Sequence, residues 1–189
     1  MSDSPIILGY DPETLRERID VDAATARLEE ISQFRSLAAL NEQVALLRML
    51  DRLDEAFDKA QDAARQSRFT GSREDSLAAR VRRAQVTQYQ GKLDLSLNEL
   101  TNCVEEAIAH DWAELAGFAL QHRGKVLFEL ERYDESLADF ERALKFREGD
   151  GIPADHANST KFAIRVVRAK LEGDRTPDEF DEPITSINA

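Results

Sequence analysis

The clearest hydrophobic pattern in the chain lies between residues 117 and 146. Ala119, Leu120, Val126, Leu127 and Leu130 recur at helical spacing, and Leu137, Phe140, Ala143, Leu144 and Phe146 do so again. The polar stretch Glu131-Arg132-Tyr133 separates the two sets, which predicts two antiparallel helices joined by a tight turn. Asp134 is placed to cap the second helix, and Gly124 stands where a neighbouring helix has to come close. One such hairpin cannot bury both stripes from water, so it needs neighbours.

The chain repeats the pattern. At a spacing of 40 in the numbering, Tyr133 coincides with Leu93 and Leu53, and each is followed by an aspartate: Asp134, Asp94 and Asp54. Small residues recur in the same register, as Ala56, Ser96 and Ser136, and as Ala63, Cys103 and Ala143. Apolar positions follow in Leu46, Val86 and Val126, in Phe57, Leu97 and Leu137, and in Ala39, Ala79 and Ala119; Val44, Ala84 and Gly124 form one more set. A fourth copy is partial. Ala163, Ile164, Val166, Val167 and Leu171 carry the first-helix pattern, and Pro177 and Pro183 then interrupt it. This predicts an all-α array of antiparallel helix hairpins, with repeats at about 37–67, 77–110 and 117–148 and a capping helix at 157–172. Loops are expected at 68–74 and 149–153. Ahead of the array, residues 1–21 are expected to be irregular, although Ile6, Ile7, Leu8 and Tyr10 precede Asp11-Pro12. Asp22 is expected to cap a helix with the stripe Ala24, Leu28, Ile31 and Phe34. The repeat domain is thus expected over 22–172, followed by a flexible acidic tail at 173–189.

Gly124, Tyr133, Ser136, Phe140 and Ala143, with their equivalents in the other copies, resemble the tetratricopeptide repeat (TPR) family over residues 37–172. The spacing of 40 exceeds the family's usual period of about 34 residues. Leu40, Arg80 and Leu120 stand at the family's tryptophan-like position, Gln43, Arg83 and Arg123 stand beside the central small residue, and the closing proline is missing. The resemblance implies a right-handed superhelical array, the first helix of each hairpin lining a concave face and the second facing outward.

Charge changes the picture next. The 189 residues carry a formal net charge of -12, which argues against nucleic acid or an anionic membrane as the partner of the whole chain. The acidity is uneven: the first helices are net basic and the second helices net acidic. On the face that the resemblance turns inward, the first helices bring Arg48 and Arg52; Arg82, Tyr89 and Lys92; Phe118, His122, Lys125, Phe128 and Arg132; and Lys161, Phe162, Arg165 and Arg168. The expected function is a protein–protein interaction adaptor that binds an acidic peptide or protein segment in a basic concave groove. Arginine suits this role because its planar guanidinium grips a carboxylate through two parallel hydrogen bonds. The acidic tail of the chain, tethered at high local concentration, is a candidate occupant. The same cations could instead pair with the acidic second helices to hold the array together. Two other functions fit the same features: a peptide-sensing regulatory subunit, and a self-associating structural accessory protein.

Candidate chemistry is sparse. His110, His122 and His156 have no metal-ligand spacing, and Cys103, the single cysteine, shares its register with alanines and is expected to be a small buried residue. Trp112 is expected to be ordinary packing. Gly149 and Gly151 do not open a phosphate-binding loop. The expectation is a non-enzyme without metal or cofactor. One cysteine fits a reducing compartment, no apolar run reaches membrane length, and the first residues lack a secretory pattern. A cytoplasmic location is therefore expected.

Overall fold

The turns between helices repeat as the sequence does. In the computed structural model, which describes residues 5–148 and 154–173, Asp51, Gly91 and Glu131 adopt left-handed backbone at φ 59°, 75° and 58°. After each, an amide reaches back five residues: Arg52 N donates to Leu47 O at 2.9 Å, Lys92 N to Thr87 O at 3.1 Å, and Arg132 N to Leu127 O at 2.9 Å. This satisfies the orphan carbonyls at a helix end and reverses the chain. Asp111, at φ 56°, turns the chain between hairpins in the same way.

Among the described residues these turns separate α2 (Leu37–Met49) from α3 (Leu53–Thr70), α4 (Arg73–Tyr89) from α5 (Leu93–Ala109), and α6 (Ala113–Glu129) from α7 (Tyr133–Arg147). Helix α1 (Val21–Ile31) precedes them and α8 (Ala154–Leu171) follows. The fold is the expected all-α array, in which α2 packs on α3 and α3 on α4, and α5 packs on α6, α6 on α7 and α7 on α8. None of the described helices is long and apolar enough to cross a membrane. The long repeat spacing comes from long helices, not long loops. Helix α3 runs to Thr70 and α4 begins at Arg73, so the loop expected at 68–74 shrinks to Gly71 and Ser72. Ser72 closes a capping box with Asp75. The loop at 149–153 and residues 174–189 of the acidic tail lie outside the described residues.

Three capping expectations are corrected. The cap of α3 is Arg52 and that of α7 is Arg132, neither with a side-chain cap bond. Asp54 and Asp134 lie one position inside the first turn and act through the helix dipole instead. Likewise Asp20, not Asp22, caps α1, its side chain accepting from Ala23 N at 3.0 Å. Ala24, Leu28 and Ile31 are buried as expected, but Phe34 is exposed.

Two compact units divide the described chain, one of residues 5–9 and 17–92, the other of residues 10–16 and 93–173. In the first, Ala24, Leu28 and Ile31 meet Val44, Leu46 and Leu47, with Ala56, Ala60 and Val86 completing the core. Gln43 is buried there and donates to the carbonyls of Ile31 at 2.7 Å and Phe34 at 3.0 Å, tying the end of α1 to α2. In the second, Leu15, Phe128, Phe140, Phe162, Ala163, Ile164, Val166 and Val167 form one cluster. Arg123 forks onto Asp139 at 2.6 and 2.7 Å, so a position where the TPR pattern has an apolar residue makes a polar tie between α6 and α7. The repeated small residues are where the helices touch: Ser136 is fully buried and its hydroxyl donates to Gly124 O at 2.8 Å.

Candidate functional site

The segment expected to be irregular is ordered. Residues 5–20 instead contain a hairpin of β1 (Ile7–Tyr10) and β2 (Glu17–Ile19). Its turn is made by Asp11, whose carboxylate accepts from Glu13 N at 2.7 Å and Thr14 N at 3.3 Å and so imitates a backbone turn. Leu15 then takes left-handed backbone at φ 55°. The hairpin closes on itself through Asp11 N to Arg16 O at 2.9 Å and Asp20 N to Ile6 O at 2.9 Å.

Within the N-terminal unit, β2 carries Glu17 against α2 and α4. Arg48 Nη1 donates to Glu17 Oε2 at 2.9 Å, and Tyr89 Oη donates to the same oxygen at 2.7 Å. The Arg48 guanidinium lies 4.5 Å from the centre of the Tyr89 ring, closing a triangle of charge pair, hydrogen bond and cation–π contact. Side-chain exposure is 6% for Arg48 and 8% for Glu17. Burial by itself would push the Arg48 guanidinium down, but the carboxylate of Glu17 and the phenol of Tyr89 hold it above the ordinary arginine value. Arg48 Nε and Gln85 Nε2 are also buried here, with no hydrogen-bond partner among the described residues.

Within the C-terminal unit, the turn of the hairpin lies against α6 and α8. Tyr10 packs its ring 5.9 Å from that of Phe162, and buried Lys125 sits 5.4 Å from the Tyr10 ring centre. Leu15 is buried in the cluster that contains Phe128 and Phe162. Arg16 donates to both carboxylate oxygens of Glu129 at 3.3 Å, and Lys170 pairs with Glu13 at 3.2 Å. Deeper in, Arg147 Nη1 donates to Thr160 Oγ1 at 2.9 Å, and the Thr160 hydroxyl donates to Gln121 Oε1 at 2.8 Å. Burial pushes the Arg147 guanidinium down to about 10, while the Tyr10 phenol opposes that shift.

The candidate residues therefore divide into three groups. Arg48, Lys125, Phe128 and Phe162 are buried, and Tyr89 is half-buried, in contacts that include the hairpin or the core around Leu15. Phe118 and His122 are half-buried in an edge-to-face contact at 4.9 Å, and Arg82 is half-buried, bonds to Ala78 O of its own helix at 3.3 Å, and is lowered by burial. The rest are exposed. Lys161 pairs with Glu148 and Arg168 with Glu141, Arg165 is exposed beside them on α8, and Lys92 donates to Gln90 Oε1 at 2.9 Å. Of the two Phe–Tyr pairs on α6 and α8, Phe128 meets Tyr133 edge-to-face at 5.5 Å.

Arg52 and Arg132 are corrected from groove to turn. Each forks onto the glutamate three residues later, Glu55 at 2.7 and 2.6 Å and Glu135 at 2.7 and 2.7 Å. The hydrogen bonds from arginine hold both carboxylates below the ordinary glutamate value. An NMR titration is expected to give both glutamates lowered midpoints and to return Glu55 upward in Arg52→Gln. No movement of Glu55 would mean that the fork does not form in solution. Because the folded-state values are depressed, the associated stabilisation is present at neutral pH and fades as pH falls through them.

The residues of this arrangement missed by sequence reasoning are Tyr10, Leu15 and Glu17. A signal was present: Ile-Leu-Gly-Tyr and Glu-Arg-Ile flank Asp11-Pro12, two short strand-like runs about a turn. Among the described residues no three His, Cys, Asp or Glu side chains gather where they could hold a metal ion, and Cys103 is a buried free thiol. His110 stacks on Trp112 at 4.7 Å, just past the end of α5.

No protein-family model matches the chain, and comparison with curated protein sequences found no match. Among solved structures the chain is similar to the crystal structure of BtubC (BKLC) from P. vanneervenii, at a TM-score of 0.51 and 14% identity, over 89% of this chain and 77% of that one. At that identity the likeness shows a shared helical fold and nothing about function.

Proposed function

We propose that this chain is a tetratricopeptide-type adaptor that binds an extended, carboxylate-bearing protein segment against α2 and α4, the first helices of its first two hairpins. The observation that carries the reading is Glu17, an acidic side chain from a non-helical segment gripped jointly by Arg48 of α2 and Tyr89 of α4. Guanidinium, phenol and ring face together make a carboxylate receptor that an apolar helix–helix contact would not need. The exposed cations Lys161, Arg165 and Arg168 on α8 favour the approach of acidic partners, since like-signed surface charges steer opposite charge into contact. The recurring left-handed turns and the Gly124–Ser136 contact support the TPR assignment. The single reduced cysteine fits the cytoplasm.

Selection of short random peptides on the full chain, and in parallel on its Glu17→Gln variant, tests this. Acidic residues should be enriched among the peptides retained by at least one of the two. Lys161→Glu with Arg165→Glu, both exposed positions, should weaken binding of the selected peptides about tenfold. Recovery of peptides without acidic enrichment on either protein would refute the reading.

A further inference from the structure

Resting on that reading, we infer that the receptor between α2 and α4 has a second position, where Arg48 Nε and Gln85 Nε2 together hold one carboxylate oxygen of the bound segment, and that Gln85 is a specificity-determining residue. Both nitrogens are buried donors with no hydrogen-bond partner among the described residues, and each of the two residues is only 5% exposed. Buried donors in folded proteins are almost always satisfied, and leaving two unsatisfied at one place is costly. The two belong to one place within the N-terminal unit, where α2 packs on α4. The Arg48 guanidinium lies 4.5 Å from the centre of the Tyr89 ring. Gln85 stands four residues before Tyr89, one turn away on the same face of α4. Nη1 of Arg48 is taken by Glu17, and Nε points from a different edge of the planar group toward another acceptor. Two donors call for an acceptor, and the surrounding charge selects an anion. Arg48 and Arg82 bring two positive charges against the one negative charge of Glu17, Arg82 standing three residues before Gln85. Burial lowers the Arg82 guanidinium, a cost that a neighbouring anion relieves. Ala45 stands on α2 at the register of Gln85, and Ala45, Arg82 and Tyr89 are half-buried, which puts the rim of the position at the surface. Arg48 thus serves two oxygens, one fixed by the chain itself and one brought by the partner.

The first probe is sodium acetate, the smallest suitable carboxylate, titrated into the full-length protein at constant ionic strength, with acetamide as its neutral counterpart. NMR should show the Arg48 Nε–H and the Gln85 side-chain amide moving together and saturably with acetate, and not with acetamide. Gln85→Leu should bind acetate at least about tenfold more weakly, the loss of one hydrogen bond to a charged acceptor. Equal affinity, or no saturable shift of either signal in the wild type, overturns the inference. So does steady magnetisation transfer from both groups to water without any response to acetate, which assigns the place to an ordered water. An amidated alanine peptide with one central glutamate and an all-alanine peptide with a free C-terminus, titrated in the same way, tell a side-chain carboxylate from a terminal one. Binding of either supports the position, and binding of neither overturns it. Thermal unfolding of Gln85→Leu gives an answer without any ligand. Replacing an unsatisfied buried amide by an apolar side chain should leave Tm at the wild-type value or above it. A clear drop would mean that the amide is hydrogen-bonded in solution and would end the inference. The selected peptides separate the inference from the reading beneath it. Acidic peptides that bind wild type and Gln85→Leu alike overturn the second position and leave the acidic-segment reading standing. A selection without acidic enrichment removes that reading, while saturable acetate binding at Arg48 and Gln85 would still establish the position.

Discussion

Arg48→Ala is expected to lower the unfolding free energy by about 3–5 kcal/mol, the usual cost of leaving one member of a buried charge pair alone. Glu17 would keep its buried position, with side-chain exposure of 8%, and would lose the Arg48 guanidinium while keeping the Tyr89 hydroxyl. The pair itself is a different quantity. Replacing both charges by apolar side chains of similar size often leaves stability unchanged or raises it, because two desolvation costs disappear together with the attraction. Arg48→Met/Glu17→Leu therefore should recover most of the loss, and adding Tyr89→Phe should leave stability at or above that of the double variant, since it removes the hydroxyl that faced Glu17. Urea denaturation followed by circular dichroism gives all three values. A loss below about 1 kcal/mol in Arg48→Ala, the range of an exposed pair, would show that Glu17 does not occupy this site in solution. Stability and binding then respond in opposite ways. A chain with the apolar pair is expected to keep its fold and lose the proposed receptor for carboxylate, an outcome that would mark the triangle as a recognition element more than a source of stability.

Gly124→Val should cost about 3 kcal/mol. A Cβ at Gly124 would meet Phe140 Cε1 at 2.9 Å and the neighbouring ring carbons Cδ1 and Cζ at 3.0 Å, and Phe140 is fully buried. Overpacking a dense core costs about 1–3 kcal/mol and occasionally more, and a β-branched residue adds two more atoms beyond that first carbon. Exchanging glycine for valine in a helix interior returns only about 0.3 kcal/mol, because β-branched valine is itself a poor helix former, so the loss is barely reduced. The repeat itself suggests the rescue. At the equivalent register of the first hairpin the two positions are Val44 and Ala60, both in one core cluster, so the bulk sits on the first helix instead of the second. Gly124→Val/Phe140→Ala recreates that arrangement. Phe140→Ala alone should cost about 3–5 kcal/mol by leaving a cavity, and the double variant should be more stable than the sum of the single losses predicts by at least about 1 kcal/mol. Strict additivity would mean that the two side chains do not share the contact.

These two predictions mark where sequence reasoning was strong and where it failed. Gly124, Ser136 and Ala143 were legible as contact positions because close helix packing restricts side-chain volume, and that restriction recurs wherever the hairpin recurs. Arg48, Lys125, Phe128 and Phe162 were grouped by helical period, but period does not say what lies on a face. Arg48 and Phe162 looked available and are buried, under Glu17 and beside Tyr10 respectively. Arg52 and Arg132 were misplaced for a local reason. Each stands at the helix cap, where a glutamate three residues on is nearer than any ligand on the face. The caps themselves shifted by a residue or two because Asp54 and Asp134 satisfy the dipole from inside the first turn as readily as from the cap.

By itself the sequence determined the all-α repeat, the pairs of helices that touch and the sign of charge on each class of helix. All three depend on local period and on volume and charge repeated at fixed spacing, which a linear pattern records. Only the tertiary structure decided that the hairpin of residues 7–19 is ordered and that Glu17 closes on Arg48, 31 positions away, and on Tyr89, 72 positions away. Two strands of 4 and 3 residues carry too little pattern to be read alone. They are stabilised by burial against helices distant in the chain, and that contact energy has no local signature.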